Sequence, residues 1–377
     1  MYFYRIKLNI MKGFIVFIVS FLLFAVHADA QKRLVDATDG LPISAASILD
    51  ASGNMVGFTL SDGAFSEFPS TAYPITVRCV GYEQLVIEHS ENKVWEMTPI
   101  VYELEEVVVT PVERNTVRQL FYVREYFSMS AKGDTITYFV EHMADRFVPA
   151  SEGVKSFGST SLRTLDSRCY ARFNLAGNDS VVANTKSSFP SMLSILDLSS
   201  EPVSVQKNFK GQTGETKLYE KPGISGMALV QKQNSQTFTM IMDLLADEKE
   251  HKMSPWALKV IGCSMDFRQL YVTQAYRAND DGVYLPKEMI DAGFVMEADG
   301  KGKLIRVLFD SDKPVIIRST VELYTVERDY LSKEEAKAIS KNKPKNVEFV
   351  IPSTVPPLNA ATKRTVERVK DEINRKK

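Results

Sequence analysis

The residues of this chain whose side chains could turn over a substrate are few: three histidines past residue 30 (His89, His142 and His251), three cysteines (Cys79, Cys169 and Cys263), and some adjacent carboxylates. A zinc hydrolase holds its metal with three protein ligands and leaves one position open for water, and it draws two of those ligands from a His-x-x-Glu pair. His142 begins His-Met-Ala-Asp and His89 is followed by Ser-Glu-Asn, so neither supplies that pair. No Cys-x-x-Cys spacing occurs, which argues against a cysteine metal site. Gly-x-Ser-x-Gly and the phosphate loop are missing, and Gly300-Lys301-Gly302 lacks the third glycine of a dinucleotide fingerprint and reads as a hairpin turn. Glu105-Glu106, Asp280-Asp281 and Glu334-Glu335 read as solvated turns or helix faces, because acid–base work needs two groups aimed at one substrate. The sequence therefore predicts a protein that is not an enzyme, with no catalytic residue, metal ligand or cofactor.

The composition agrees with a globular binding protein. Of 377 residues, 46 are Lys or Arg and 47 Asp or Glu, for a net charge of −1, and 44% are hydrophobic. Such a balance steers the chain toward no nucleic acid. Met11-Lys12-Gly13, an apolar run from Phe14 to Val26, and His27-Ala28-Asp29-Ala30 before Gln31 have the order of a secretory signal, with Ala28 and Ala30 placing the cut before Gln31. The run is shorter than the ~20 residues that span a bilayer, no Cys stands at the cut, and either Met1 or Met11 serves as initiator. Export puts the cysteines in an oxidising compartment, where Cys169 and Cys263 could pair only if the fold brings them together.

Residues 31–110 read as a β-sandwich. Asp39-Gly40, Ser52-Gly53-Asn54 and Asp62-Gly63 punctuate short apolar runs, and Asp-Gly supplies the positive φ of tight turns. Val35, Ile48, Val56, Phe58, Phe65, Val77, Cys79, Leu85 and Ile87 are the inward candidates. In Ile75-Thr76-Val77-Arg78-Cys79 the period of two sets Thr76 and Arg78 on the opposite face.

Leu34-Val35-Asp36-Ala37, the segment Gly40 to Ile48, Ser61-Asp62-Gly63-Ala64-Phe65, Val80-Gly81-Tyr82, and Leu104-Glu105-Glu106-Val107-Val108-Val109-Thr110 together resemble the carboxypeptidase regulatory-like domain. The resemblance covers residues 32–110 and implies a seven-stranded, transthyretin-like sandwich. It also implies the envelope of Bacteroidetes-type bacteria, where such domains precede TonB-dependent outer-membrane receptors, and hence an envelope protein partner. The sequence departs from the family where Ala45 stands in place of the usual Gly, and the Asp62-Gly63 turn is short. The 267 residues after Thr110 are too few for a plug followed by a receptor barrel of about 22 strands, and the ending Asn374-Arg375-Lys376-Lys377 differs from the terminal aromatic strand of such barrels.

Residues 117–331 read as a larger antiparallel β-rich α+β domain, with a curved half-barrel sheet as one form of it. A helix is expected over Val117–Met129, closed by Gly133-Asp134. Strands are expected at 135–140, 168–173, 237–241, 270–273, 304–309 and 315–326, all β-branched and aromatic. In the stretch from Arg318 to Arg328 the period of two predicts one buried and one wet face. The run from Asp281 to Met289 resembles, weakly, the late hairpins of periplasmic lipoprotein-carrier proteins, whose half-barrel holds an acyl chain. Met240, Met242, Leu245 and Trp256 could line such a cavity, or be ordinary core. Residues 332–377 form a basic tail, with 12 Lys/Arg against 6 Asp/Glu, short helices and four prolines. It reads as a solvated, partly mobile terminus, or as a surface for anionic headgroups. Two function classes follow: a non-catalytic envelope protein whose sandwich is a docking module for a protein or ligand, or a periplasmic carrier of a lipid or acylated cargo. Nothing in the sequence sets the oligomeric state.

Overall fold

The computed structural model describes residues 32–102, 114–184, 203–204, 216–221, 224–233, 237–245, 263–278, 283–310, 313–342 and 347–375. The signal segment with Ala28, Ala30 and Gln31, the 104–110 motif, His251, Trp256 and Asp280-Asp281 lie outside the described residues.

The first seven strands are β1 (Lys32–Asp36), β2 (Ser47–Leu49), β3 (Met55–Phe58), β4 (Ala64–Phe65), β5 (Ile75–Arg78), β6 (Leu85–Ile87) and β7 (Val94–Met97). They form two sheets, ordered β4-β1-β7 and β3-β2-β5-β6, which is the expected seven-stranded sandwich. Leu34, Ile48, Ile75, Val77 and Trp95 fill the space between them. In β1 it is Leu34, fully buried, and not Val35 that points inward. A one-residue change of register sends every side chain of a strand to the other face, and so short a strand carries too few residues to fix its phase from sequence. Ala45 has φ 60°, a left-handed conformation that favours glycine. Gly63 has φ +74°, and a Cβ there would lie 2.4 Å from the Leu34 carbonyl oxygen. Gly63→Ala is therefore expected to lower the urea midpoint by the equivalent of about 2–4 kcal/mol, through a backbone clash and a strained φ; an unchanged midpoint would refute this.

Twelve more strands follow: β8 (Thr116–Ala131), β9 (Asp134–Pro149), β10 (Arg163–Leu175), β11 (Asn178–Asn184), β12 (Val203–Ser204), β13 (Thr216–Lys221), β14 (Ile224–Gln233), β15 (Thr237–Asp243), β16 (Cys263–Arg277), β17 (Val283–Tyr284), β18 (Met289–Gly302) and β19 (Val315–Leu331). Ten of them build one antiparallel sheet in the order β11-β10-β9-β8-β19-β18-β16-β15-β14-β13, and β12 pairs with β17. The helices among the described residues are α1 (Lys303–Phe309), α2 (Lys333–Lys341) and α3 (Ala360–Arg375).

The helix expected over Val117–Met129 is instead strand β8. Both of its faces are buried, so polar alternation is erased and apolar residues fall at helical spacing by coincidence. Lys132 and Gly133, at φ 49° and 93°, make the two-residue turn that joins Ala131 to Asp134; positive φ at both central positions matches the twist of the flanking strands. The strand expected at 304–309 is helix α1. Ile305 and Phe309 face the sheet while Val307 stays 74% exposed, an i, i+4 pattern that a short β-branched run disguised. Gly300, Lys301 and Gly302 are the end of β18 and not a hairpin turn, and Gly302 at φ 123° lets the chain leave the sheet.

The tail is part of the core. Val366 and Val369 of α3 pack with Leu49, Met55 and Phe58 of the sandwich and with Tyr126, Phe139, Tyr170 and Val295 of the sheet. Ser332 caps α2 by accepting from the Glu335 amide, and the Glu335 carboxylate accepts in return from the Ser332 amide. The expectation of a mobile terminus is thus corrected: an apolar stripe on α3 outweighs the solvation of its charges.

Candidate functional site

One face of the ten-stranded sheet is covered by the sandwich and the tail, and buried charges gather there. Arg78, at the end of β5, donates from Nε and Nη2 to the two carboxylate oxygens of Glu322 on β19, at 2.7 and 2.6 Å. Its Nη1 donates to Gln84 Oε1 and to the Pro357 carbonyl, both at 2.9 Å, and its guanidinium lies 5.2 Å from the Tyr126 ring centre. Tyr324 donates to Glu322 at 3.1 Å. Next to this group, Arg124 donates to the Pro356 carbonyl at 2.5 Å and to the Tyr122 hydroxyl at 3.1 Å, and Tyr122 donates to Glu141. Burial would raise the Glu322 carboxyl, but the adjoining Arg78 overrides it and holds that carboxyl below its usual range. A two-point guanidinium–carboxylate contact of this kind is the strong form of an ion pair.

One face of β19 was expected to be wet, and its polar residues Arg318, Thr320 and Glu322 share a face with Tyr324. Thr320, Glu322 and Tyr324 are each 3% exposed, because the sandwich covers them. Thr76 and Arg78, on the outward face of β5, are buried for the same reason. Gly293 on β18 marks the closest approach: a Cβ there would lie 2.8 Å from Val80 Cγ2. Sequence reasoning missed Arg78 and Glu322, and the signal that could have found them is a charge of each sign in the middle of two strongly β-branched strands.

The same seam holds a second carboxylate with different company. Asp291, on β18 and 1% exposed, accepts from the Tyr102 hydroxyl through Oδ2, while Oδ1 has no hydrogen-bond partner. Burial pushes its carboxyl up to about 7. Tyr102 also lines a cavity of 80 Å³, together with Asp36, Tyr82, Ile241 and Thr273. A wider groove of 650 Å³ runs between sandwich and sheet past Lys32, Phe68, Lys93, Gln269, Glu297 and Arg318.

The opposite face of the sheet is an apolar layer that includes Phe121, Val123, Met240, Phe267, Met296 and Ile317. Met240 is 4% exposed, and Met242 and Leu245 pack against the same layer, so the structure brings these three residues together in packed core. At one end the segment 283–288 crosses this face. Tyr284 stacks on Phe238 with ring centres 4.2 Å apart, and Arg146 donates to Gln119 and to the Pro286 carbonyl. Within the layer, His142 Nε2 also stands 3.1 Å from Glu125 Oε1.

Cys169, on the same face, is a free thiol, pushed up to about 11 by burial and then by the Glu125 carboxylate. The sequence let Cys169 pair with Cys263 only if the fold brought them together, and in the sheet β10 and β16 are separated by β9, β8, β19 and β18. A thiol so protonated is a poor nucleophile. Cys79 packs half-buried against the sandwich core. Among the described residues no three His, Cys, Asp or Glu side chains are placed to hold a metal, and no helix is long and apolar enough to cross a membrane.

No protein-family model matches the chain, and no curated protein sequence matches it. Among solved structures, one from a study of lipid–protein interactions in lipovitellin is similar to it at 10% sequence identity and a TM-score of 0.33. That alignment covers 58% of this chain and 26% of the lipovitellin chain, so the chain spans about a quarter of the length of the structure it matches.

Proposed function

We propose that this is an exported, non-catalytic envelope protein whose ten-stranded sheet binds a long apolar ligand, and whose sandwich, a carboxypeptidase regulatory-like domain, braces the sheet from behind. The observation that carries this reading is the division of labour between the sheet's two faces. One is occupied by the sandwich and α3, with its buried charges tied to one another. The other is a broad apolar layer with Met129, Met240, Met265, Met289 and Met296 in it. Methionine is unbranched and polarisable, and repacks around flexible acyl chains where β-branched residues would not. The left-handed Ala45, at a position where the resembled family usually has glycine, supports the assignment of the sandwich.

The test is native mass spectrometry of the protein purified gently from cells that make it, followed by titration with a fluorescent fatty acid. A co-purifying lipid-sized mass, or saturable probe binding at about one per chain that Met240→Glu weakens, is the expected result. A clean unliganded mass together with no saturable binding would overturn the reading. In that case the groove beside Arg318 becomes the place to look for a protein partner.

A further inference from the structure

We propose that Tyr102 and Asp291 form a pH-set latch that holds the exit of the sandwich against the sheet. The inference is independent of what the apolar face binds. Tyr102 lies in the segment that follows β7, and it reaches across the seam to Asp291, on β18 and 189 residues away in sequence. The two carboxylates of the seam differ in company. Glu322 is met by both arms of the Arg78 guanidinium. Asp291 has one donor, the Tyr102 hydroxyl, and an unsatisfied second oxygen.

The groups around Asp291 explain the difference. Its partners across the strands are Ala275 on β16 and Tyr324 on β19. From the sandwich, the Cys79 thiol acts on Tyr102, and Asp36, Asp39 and Tyr82 share the cavity that Tyr102 lines. Along the sheet, Glu322 pairs with Gly293, two residues from Asp291, and the Arg78 guanidinium there is taken up by Glu322. None of these neutralises a carboxylate at Asp291, so the closed seam favours the protonated acid.

The direction follows from linkage. The Asp291 carboxyl sits at about 7 in the closed seam, against 3.8 for a solvated one. The closed form is therefore at full strength below about 4, weakens about tenfold per pH unit as the pH rises, and levels off once the pH passes about 7. Ionisation favours a form in which water reaches the carboxylate, and the 80 Å³ cavity that Tyr102 helps to enclose then opens. Glu322, held below its usual range by Arg78, stays ionised through this window.

Hydrogen exchange of the full chain at pH 5 and pH 8, corrected for intrinsic rates, tests the latch. Amides of 98–102 and 289–293 are expected to lose about 100-fold in protection between the two, from two units of slope below 7, while the β8–β9 hairpin does not change. Asp291→Asn should make the seam's protection independent of pH. Tyr102→Phe, which removes the one donor that favours the carboxylate, should move the levelling-off point to higher pH; this variant keeps the test decisive if Asp291→Asn does not fold. Equal protection at the two pH values in the unmodified chain, or a pH dependence that survives in Asp291→Asn, would overturn the proposal.

Discussion

Arg78→Met is expected to destabilise the fold by about 3–5 kcal/mol at pH 7, because it leaves the Glu322 carboxylate buried without a counter-charge. Three acceptors would lose Arg78 together: Gln84, the Pro357 carbonyl, and Glu322, which keeps only the Tyr324 hydroxyl as a donor. Adding Glu322→Leu to the same chain should return a large part of the loss, since an apolar pair of similar volume pays no desolvation of charge. Urea denaturation of the two single variants and the double variant forms the required cycle, and a coupling energy under about 0.5 kcal/mol would show that the pair is not the clamp described. The pH dependence has a definite sign. Glu322 titrates lower in the folded protein than its usual 4.5, so this contribution is present above about 4.5 and is lost as the pH falls through the folded value. That is the reverse of the dependence at Asp291, and the two carboxylates give the seam opposite responses to acid.

Removal of residues 31–110 is expected to leave no independently folded sheet. The sandwich contributes Ala45, Leu49, Met55 and Phe58 to a core shared with Tyr126, Phe139, Tyr271 and Val295. Without it those sheet residues meet water, and Glu322 and Asp291 lose Arg78 and Tyr102. Uncovered apolar faces of this kind associate. Near-ultraviolet circular dichroism and gel filtration of residues 111–377 decide the matter: a monomer with native aromatic signal and a cooperative melt would mean that the sandwich is a separable docking arm after all.

Local grammar carried much of the fold. The Asp-Gly turns and short alternating runs were enough to read the sandwich, because small strands between tight turns obey rules that act over ten residues. Strands such as β9, β10 and β16 were also legible from their β-branched and aromatic content. β8 failed because it is covered on both faces and so loses the alternation by which a strand is recognised; β5 and β19 were read as strands, but not the burial of their second faces, which parts of the chain far away in sequence cover. Arg78 and Glu322 were invisible as partners for the same reason, being 244 residues apart. Of the apolar face, Met240, Met242 and Leu245 were found by composition, whereas the pair His142 and Glu125 depends on strand register that only the fold supplies.

The tail also fixes when the molecule can mature. Arg78 waits for the Pro357 carbonyl, 279 residues downstream, and the hydrophobic cluster begun by Leu49 and Met55 closes only when Val366 and Val369 arrive. The pairing of β8 with β19 likewise joins the first strand after the sandwich to one of the last. While the chain is being synthesised, the sandwich can pack its own interior but the seam has nothing to close upon. The seam thus stays incomplete until α3 has been made, and synthesis of that helix serves as the timer that ends the interval.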